Sequence, residues 1–163
     1  ATESTAAGQH ADDEHEAVRE RFSRWHAPIP ACIDATPPDA VLRHDIYDLA
    51  RIPATFVQGR TVLLGDAAHG MTPNLGQGAG QAIEDAATLT LLLRSGELDA
   101  ALRRYDELRR KGTGAIWRQA GRMGKVAQAC HPVGASIRDA LLRATPPTST
   151  ARAMRRLQRW SEP

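Results

Sequence analysis

Few features of this chain argue for a membrane, secreted or nucleic-acid-binding protein. No apolar stretch approaches the ~20 residues that span a bilayer. The opening residues, Ala1 to His10, are small and polar, lacking the basic start and apolar centre of a secretory leader. Charge of one sign is also missing: 21 Lys and Arg stand against 19 Asp and Glu, interspersed, for a net of +2, so no basic tract points to nucleic acid. Cysteine is scarce, with only Cys32 and Cys130. Two thiols so far apart form neither a disulfide framework nor a zinc spacing, and they read as reduced cysteines of a cytoplasmic protein. There is no Gly-x-Ser-x-Gly elbow for a nucleophile, and Cys130-His131, being adjacent, point their side chains in different directions. No internal repeat is present. At 163 residues the expectation is one domain's worth of chain, long enough to bury a core.

What the chain does have is the run from Gly65 to Asp85, Gly-Asp-Ala-Ala-His-Gly-Met-Thr-Pro-Asn-Leu-Gly-Gln-Gly-Ala-Gly-Gln-Ala-Ile-Glu-Asp. It follows the apolar stretch Thr61-Val62-Leu63-Leu64 and leads into an Ala/Leu-rich segment, so it reads as strand, loop, glycine turn and helix start. Gly76, Gly78 and Gly80 let a flat ligand approach the backbone without meeting a Cβ. The helix behind them presents unpaired N–H groups and a partial positive charge, which stabilise a carboxylate, a phosphate or an electron-rich carbonyl. Asp66 stands where a carboxylate accepts hydrogen bonds from sugar-like hydroxyls, and Pro73 stiffens the loop.

On these residues the chain resembles the C-terminal half of the single-component FAD-dependent aromatic-ring monooxygenases, the group of hydroxybenzoate and salicylate hydroxylases and related epoxidases. The matching pattern is Gly-Asp-Ala-Ala-His, three residues, Pro, then Gly-Gln-Gly and Ala-Ile-Glu-Asp-Ala, with Asp48, Arg51, Pro53 and Gly59-Arg60 in keeping. It covers roughly Val41 to Arg110. The resemblance implies a mainly α chain with a few strands, the C-terminal part of an α/β, Rossmann-like FAD-binding fold that is incomplete without its N-terminal half. It implies cofactor contacts from Gly65, Asp66, Pro73, Gly76, Gln77, Gly78, Ala79 and Gly80. Asp66 would hold the ribityl chain, Pro73 would flank the reactive flavin edge, and the amides of Gly78, Ala79 and Gly80 would face N1 and O2. Many relatives carry Asn or Cys where Gly80 stands, which implies the loss of a side-chain contact to the pyrimidine edge. The implied activity is NAD(P)H-dependent hydroxylation of an aromatic or other electron-rich small molecule through a flavin hydroperoxide.

The family also carries a Gly-x-Gly-x-x-Gly turn for the ADP half of FAD. Nothing here fits it: Gly76-Gln77-Gly78 followed by Ala79-Gly80-Gln81 lacks the third glycine and follows too long a loop. The expectation is a piece of the enzyme, inactive alone, whose partners are an aromatic substrate and the missing N-terminal portion. The alternative, from a different class, is a non-catalytic helical interaction module derived from such an enzyme and binding no cofactor by itself.

The expected organisation has three parts. Residues 1–49 close the substrate domain and return as a strand, 50–143 form the flavin-ring half with its following helices, and 144–163 are a Pro/Thr linker and basic helix. Residues 12–26 place acids before bases, with Val18, Phe22 and Trp25 on one face, which predicts a helix stopped by Pro28 and Pro30. A short turn through Cys32 and Ile33 and a strand over Val41–Leu49 follow. A helix is expected from Gly78 to Arg94 with Gly96 at its C′ position, then one from Leu98 ended by Gly112, a third carrying Ile116, Trp117, Ala120, Met123 and Ala127, and a shorter fourth after His131-Pro132 that runs to about Arg143. Met154, Leu157 and Trp160 would share one side of a basic helix over 151–160, whose Arg152, Arg155, Arg156 and Arg159 read as a solvated face.

Simpler roles compete for the same residues. Asp66 is also suited to cap a turn, and glycines 76, 78 and 80 to shape one. His69 lies three residues from Asp66, but two ligands without a third make no metal site, so it reads as packed and hydrogen-bonded inside the loop. Asp85 reads as a favourable charge in the early helical turns rather than as a ligand contact. No catalytic acid or base is named.

Overall fold

The computed structural model describes residues 8–129 and 131–146, with residues 148, 149, 152, 155 and 160 beyond them. The chain divides into two compact units between Ile46 and Tyr47.

The first unit holds α1 (Glu14–Phe22) and α2 (Ile29–Asp34). Asp13 caps α1 by accepting the Glu16 N–H at 3.0 Å, with Glu14 and Glu16 in the first turn and Arg19 and Arg21 in the last, the order that offsets the helix dipole. The two helices pack together, joined by His15 Nε2 to the Ile33 carbonyl at 3.0 Å and Arg19 to Asp34 at 3.1 Å. The turn expected through Cys32 and Ile33 is helix α2 instead. Pro30 sits in its first turn, where the missing N–H costs nothing. The strand expected over Val41–Leu49 does not form: these residues pair with no strand among the described residues, and a lone strand has no ladder to satisfy it.

The second unit begins with a small antiparallel ladder, β1 (Val57–Gln58) and β2 (Thr61–Val62), in which Val57 faces Val62 and Gln58 faces Thr61. Then come α3 (Asp66–His69), a 3-10 turn (Pro73–Leu75), α4 (Gly78–Ser95), α5 (Leu98–Ala127) and α6 (Pro132–Ala144). The predominance of helix with two short strands agrees with the expected fold class. Phe56, Ala68 and Tyr105 form the core, with Ile52, Val57, Val62, Leu63, Leu89 and Leu92 packed around them. Tyr105 donates its hydroxyl to the Leu63 carbonyl at 3.0 Å, tying α5 to the strand end.

Helix α4 starts at Gly78 as expected, but Gly96 has φ −142° and is extended rather than left-handed. The larger correction concerns Gly112. Instead of stopping there, α5 runs unbroken for 30 residues through Gly112 and Gly114. A glycine inside a helix costs only about 1 kcal/mol, and the buried stripe Ala101, Leu102, Tyr105, Arg109, Thr113, Ala120, Gly124 keeps its phase across it, so packing carries the helix through. Near its end, Gly124 lies so close to the 3-10 turn that an added Cβ would fall 2.6 Å from the Asn74 amide nitrogen. Of the basic helix expected over 151–160, Met154, Arg156, Leu157 and Arg159 lie outside the described residues. Arg152 and Arg155 are helical, and Trp160 donates its indole N–H to Thr88 Oγ1 at 3.4 Å.

Candidate functional site

The segment from β2 to α4 presents two faces of opposite character. Gly65 turns the chain out of the strand with φ +58° and ψ −141°, a conformation open essentially to glycine alone, and its position against Ala82 leaves a Cβ only 3.4 Å from the alanine's. Asp66, the first residue of α3, is exposed, and its carboxylate has no protein partner among the described residues. Pro73, Gly76, Ala79 and Gly80 are also exposed, and Gly78 is half-buried, whereas Gly65 and Gln77 are buried. Gly76, at φ +61°, ends the 3-10 turn in the left-handed region and lets the chain swing into α4.

Helix α4 has no side-chain cap. The first amide of the region to find a carbonyl is Gln81, bonded to Gln77 at 2.9 Å, so the N–H groups of Gly78, Ala79 and Gly80 have no partner among the described residues. An exposed, uncapped helix start of eighteen residues directs both its dipole and its free donors outward. A Cβ at Gly76, Gly78 or Gly80 would meet nothing within 4 Å, so a flat ring can lie on this surface. Gly65 lies against α4, so the exposed Asp66 follows directly beside the helix that carries the free amides. The surface thus combines an acceptor for hydroxyls, donors for an electron-rich edge and glycines that leave room for a flat group.

The inward face is a polar cluster that sequence reasoning missed. Asp85 and His69 are fully buried, with Gln81 and Thr88 beside them on the same stripe of α4. Asp85 Oδ2 accepts the Gly65 N–H at 2.8 Å and a hydrogen from His69 Nε2 at 2.6 Å, while Oδ1 accepts from Arg109 Nε at 2.6 Å. Burial pushes the Asp85 carboxyl up, but the hydrogen bonds from His69, Arg109 and Gly65 together with the Arg109 charge outweigh it and hold the group below its ordinary value. Arg109 also donates to Glu84 at 2.9 Å, to Gln81 Oε1 at 2.9 Å and to the Gln81 carbonyl at 3.1 Å. Tyr105, next to this charge, is held neutral by burial first and the Asp85 charge second. Asp85 is thus more than the favourable charge expected in the early helical turns: it is buried and bonded within the protein. The signal in the sequence was the spacing Gln81, Asp85, Thr88, which puts three polar groups on one helical stripe, two of them bonded to Arg109 of the next helix.

Comparison with known proteins identifies the family. The family profile described as "FAD binding domain" matches residues 4–120. The Aurachin C monooxygenase/isomerase of Stigmatella aurantiaca is 47% identical over 126 residues, 76% of this chain and 32% of that protein. Salicylate hydroxylase of Pseudomonas putida is 36% identical over 117 residues, 69% of this chain and 26% of that protein. The crystal structure of Klebsiella pneumoniae HpxO complexed with FAD and uric acid superposes with a TM-score of 0.81 at 28% identity, covering 93% of this chain and 40% of HpxO. The chain spans a third or less of the length of the curated relatives it matches. Motif, fold and likeness agree that it belongs to the FAD binding domain family of the FAD-dependent aromatic-ring monooxygenases, of which it spans a part.

Proposed function

We propose that this chain carries the flavin-ring half of the FAD site of a NAD(P)H-dependent monooxygenase that hydroxylates an aromatic or other electron-rich small molecule. The observation that carries the reading is the pairing of a partnerless, exposed Asp66 carboxylate with the uncapped, glycine-surfaced start of α4. The residues assigned to the cofactor are Gly65, Asp66, Pro73, Gly76, Gln77, Gly78, Ala79 and Gly80. Asp66 accepts hydrogen bonds from the ribityl hydroxyls. The Gly78, Ala79 and Gly80 amides donate toward N1 and O2, where the helix dipole stabilises negative charge at a water-poor site by roughly a few kcal/mol. Pro73 forms a stiff wall at the ring edge, Gln77 acts through its backbone, its side chain being buried, and Gly65, whose amide and carbonyl are bonded within the protein, turns the chain so that Asp66 follows at the surface. FAD, reduced by a nicotinamide, supplies the oxygen-transfer chemistry, and the protein's part is placement and exclusion of water. An aromatic or purine-like substrate is supported by the names of the relatives, salicylate hydroxylase and the HpxO complex with uric acid.

The adenine-binding half belongs, in this reading, to a further segment bearing Gly-x-Gly-x-x-Gly. A cytoplasmic setting, where nicotinamide reductant is available and the exposed Cys32 thiol stays reduced, completes the assignment. The chain alone is expected to retain little FAD by absorbance of the purified protein. Joined to the adenine-binding segment it binds FAD in stoichiometric amount, and a well-folded joined protein that stays colourless favours the non-catalytic interaction module instead.

A further inference from the structure

We propose that Asp85 is a positioning residue of the flavin-ring site, fixing as one piece the direction of the Asp66 carboxylate and the aim of the α4 amides. This rests on the assignment of that surface to the flavin.

The two recognition elements come from different pieces of backbone. Asp66 belongs to the four-residue α3, whereas the free amides belong to α4. The chain between them is held by short-range bonds such as Gly70 N–H to the Asp66 carbonyl at 2.9 Å and Gly76 N–H to the Pro73 carbonyl at 2.9 Å, which shape each turn without setting the distance between the elements. Asp85 sets that distance. It rides on α4 and binds the residue just before Asp66, through the Gly65 amide, and the residue at the far end of α3, through His69. Asp66 is bracketed on both sides by one carboxylate.

The other oxygen extends the brace. Arg109, on α5, holds Asp85 Oδ1 and also the carbonyl and side chain of Gln81, one turn nearer the helix start, so sliding or rotation of α4 breaks several bonds together. The ionised carboxylate only accepts, so His69 Nε2 carries the hydrogen, and its Nδ1 is buried with no partner among the described residues. Among those residues Asp85 is the single polar anchor of the His69 ring, which loses its orientation with it. At 0% exposure for both side chains, these bonds act in a low dielectric where they are stiff. A site of this kind needs its donors held to within about 0.5 Å.

A merely structural role predicts that flavin binding follows stability, and a positioning role predicts that the two separate. The test uses the full-length enzyme carrying this chain, loaded with FAD. Asp85→Asn is expected to weaken FAD affinity by about tenfold to a hundredfold, the range of a lost charge-assisted hydrogen bond. It also moves the flavin reduction potential to more negative values, because amides no longer aimed at N1 and O2 stabilise the reduced ring less. Adding Arg109→Gln removes a buried guanidinium left with Glu84 as its remaining acidic partner, so the double variant regains melting temperature while affinity and potential stay shifted. On the chain without flavin, hydrogen exchange at the Gly65 amide and at the Gln81 amide, the first bonded one of α4, rises together in Asp85→Asn. A folded Asp85→Asn protein with wild-type affinity and potential overturns the inference, as does affinity that returns in step with melting temperature. Failure of the wild type to bind FAD sinks the flavin reading and takes this inference with it; FAD binding unchanged by Asp85→Asn sinks the inference alone.

Discussion

Asp66 and Asp85 are carboxylates of one strand-loop-helix segment, yet they live in opposite surroundings. Asp66 is exposed with no protein partner among the described residues, while Asp85 is fully buried and receives hydrogens from Gly65, His69 and Arg109. A solvated acid with nothing to hold contributes little to folding and is free to meet a ligand. A buried acid without partners would be intolerable, so its neighbours are part of its existence. The same residue type is therefore left available on one face and locked into the architecture on the other, and burial decides which.

The contrast is sharpest if each face is removed separately. Arg109→Met leaves Asp85 buried without its cation and is expected to cost about 3 to 5 kcal/mol of unfolding free energy, measured by urea denaturation of the chain; a loss below about 1 kcal/mol would mean that the cluster is not the brace described here. Asp66→Ala should do the reverse. FAD retention in the full-length protein falls by about 1.5 to 3 kcal/mol, and equal retention removes Asp66 from the site. Gly65→Ala sits between the two faces, and its forced conformation costs about 1 to 3 kcal/mol of stability by thermal melt.

Acidity distinguishes the two carboxylates again. The Asp85 group is held below its ordinary value when folded, so its stabilisation is fully present above the unfolded pKa of about 3.9 and disappears as pH falls through the lower folded value. Unfolding free energy measured against pH should fall more steeply below about pH 4 in the wild type than in Asp85→Asn. The smallest expected effect is that of Asp66→Ala on the stability of the chain without flavin, within about 0.5 kcal/mol by denaturant titration.

Sequence alone revealed the outward face better than the inward one. The glycines at 76, 78 and 80 and the apolar segment behind them fix where α4 begins, because turn chemistry and periodicity are local properties. Asp85 beside Glu84 looks like an ordinary charge of an early helical turn, and Arg109 sits among Arg103, Arg104, Glu107, Arg110 and Lys111, most of which are solvated. Only the azimuth of α5 against α4 shows that Arg109 alone of that run points inward, and azimuth between helices is a tertiary quantity. Gly112 misled for the opposite reason: a local stop signal was overridden by the packing stripe that continues through it.

The empty position at Gly124 has a consequence far along the sequence. Because a Cβ there would fall 2.6 Å from the side-chain amide nitrogen of Asn74, the neighbour of Pro73, any larger residue at position 124 obliges that side chain to move. A saturation library at position 124 would then accept Ala, the exposed Asn74 side chain swinging aside, and its larger members would gauge the room left against a turn some fifty positions upstream.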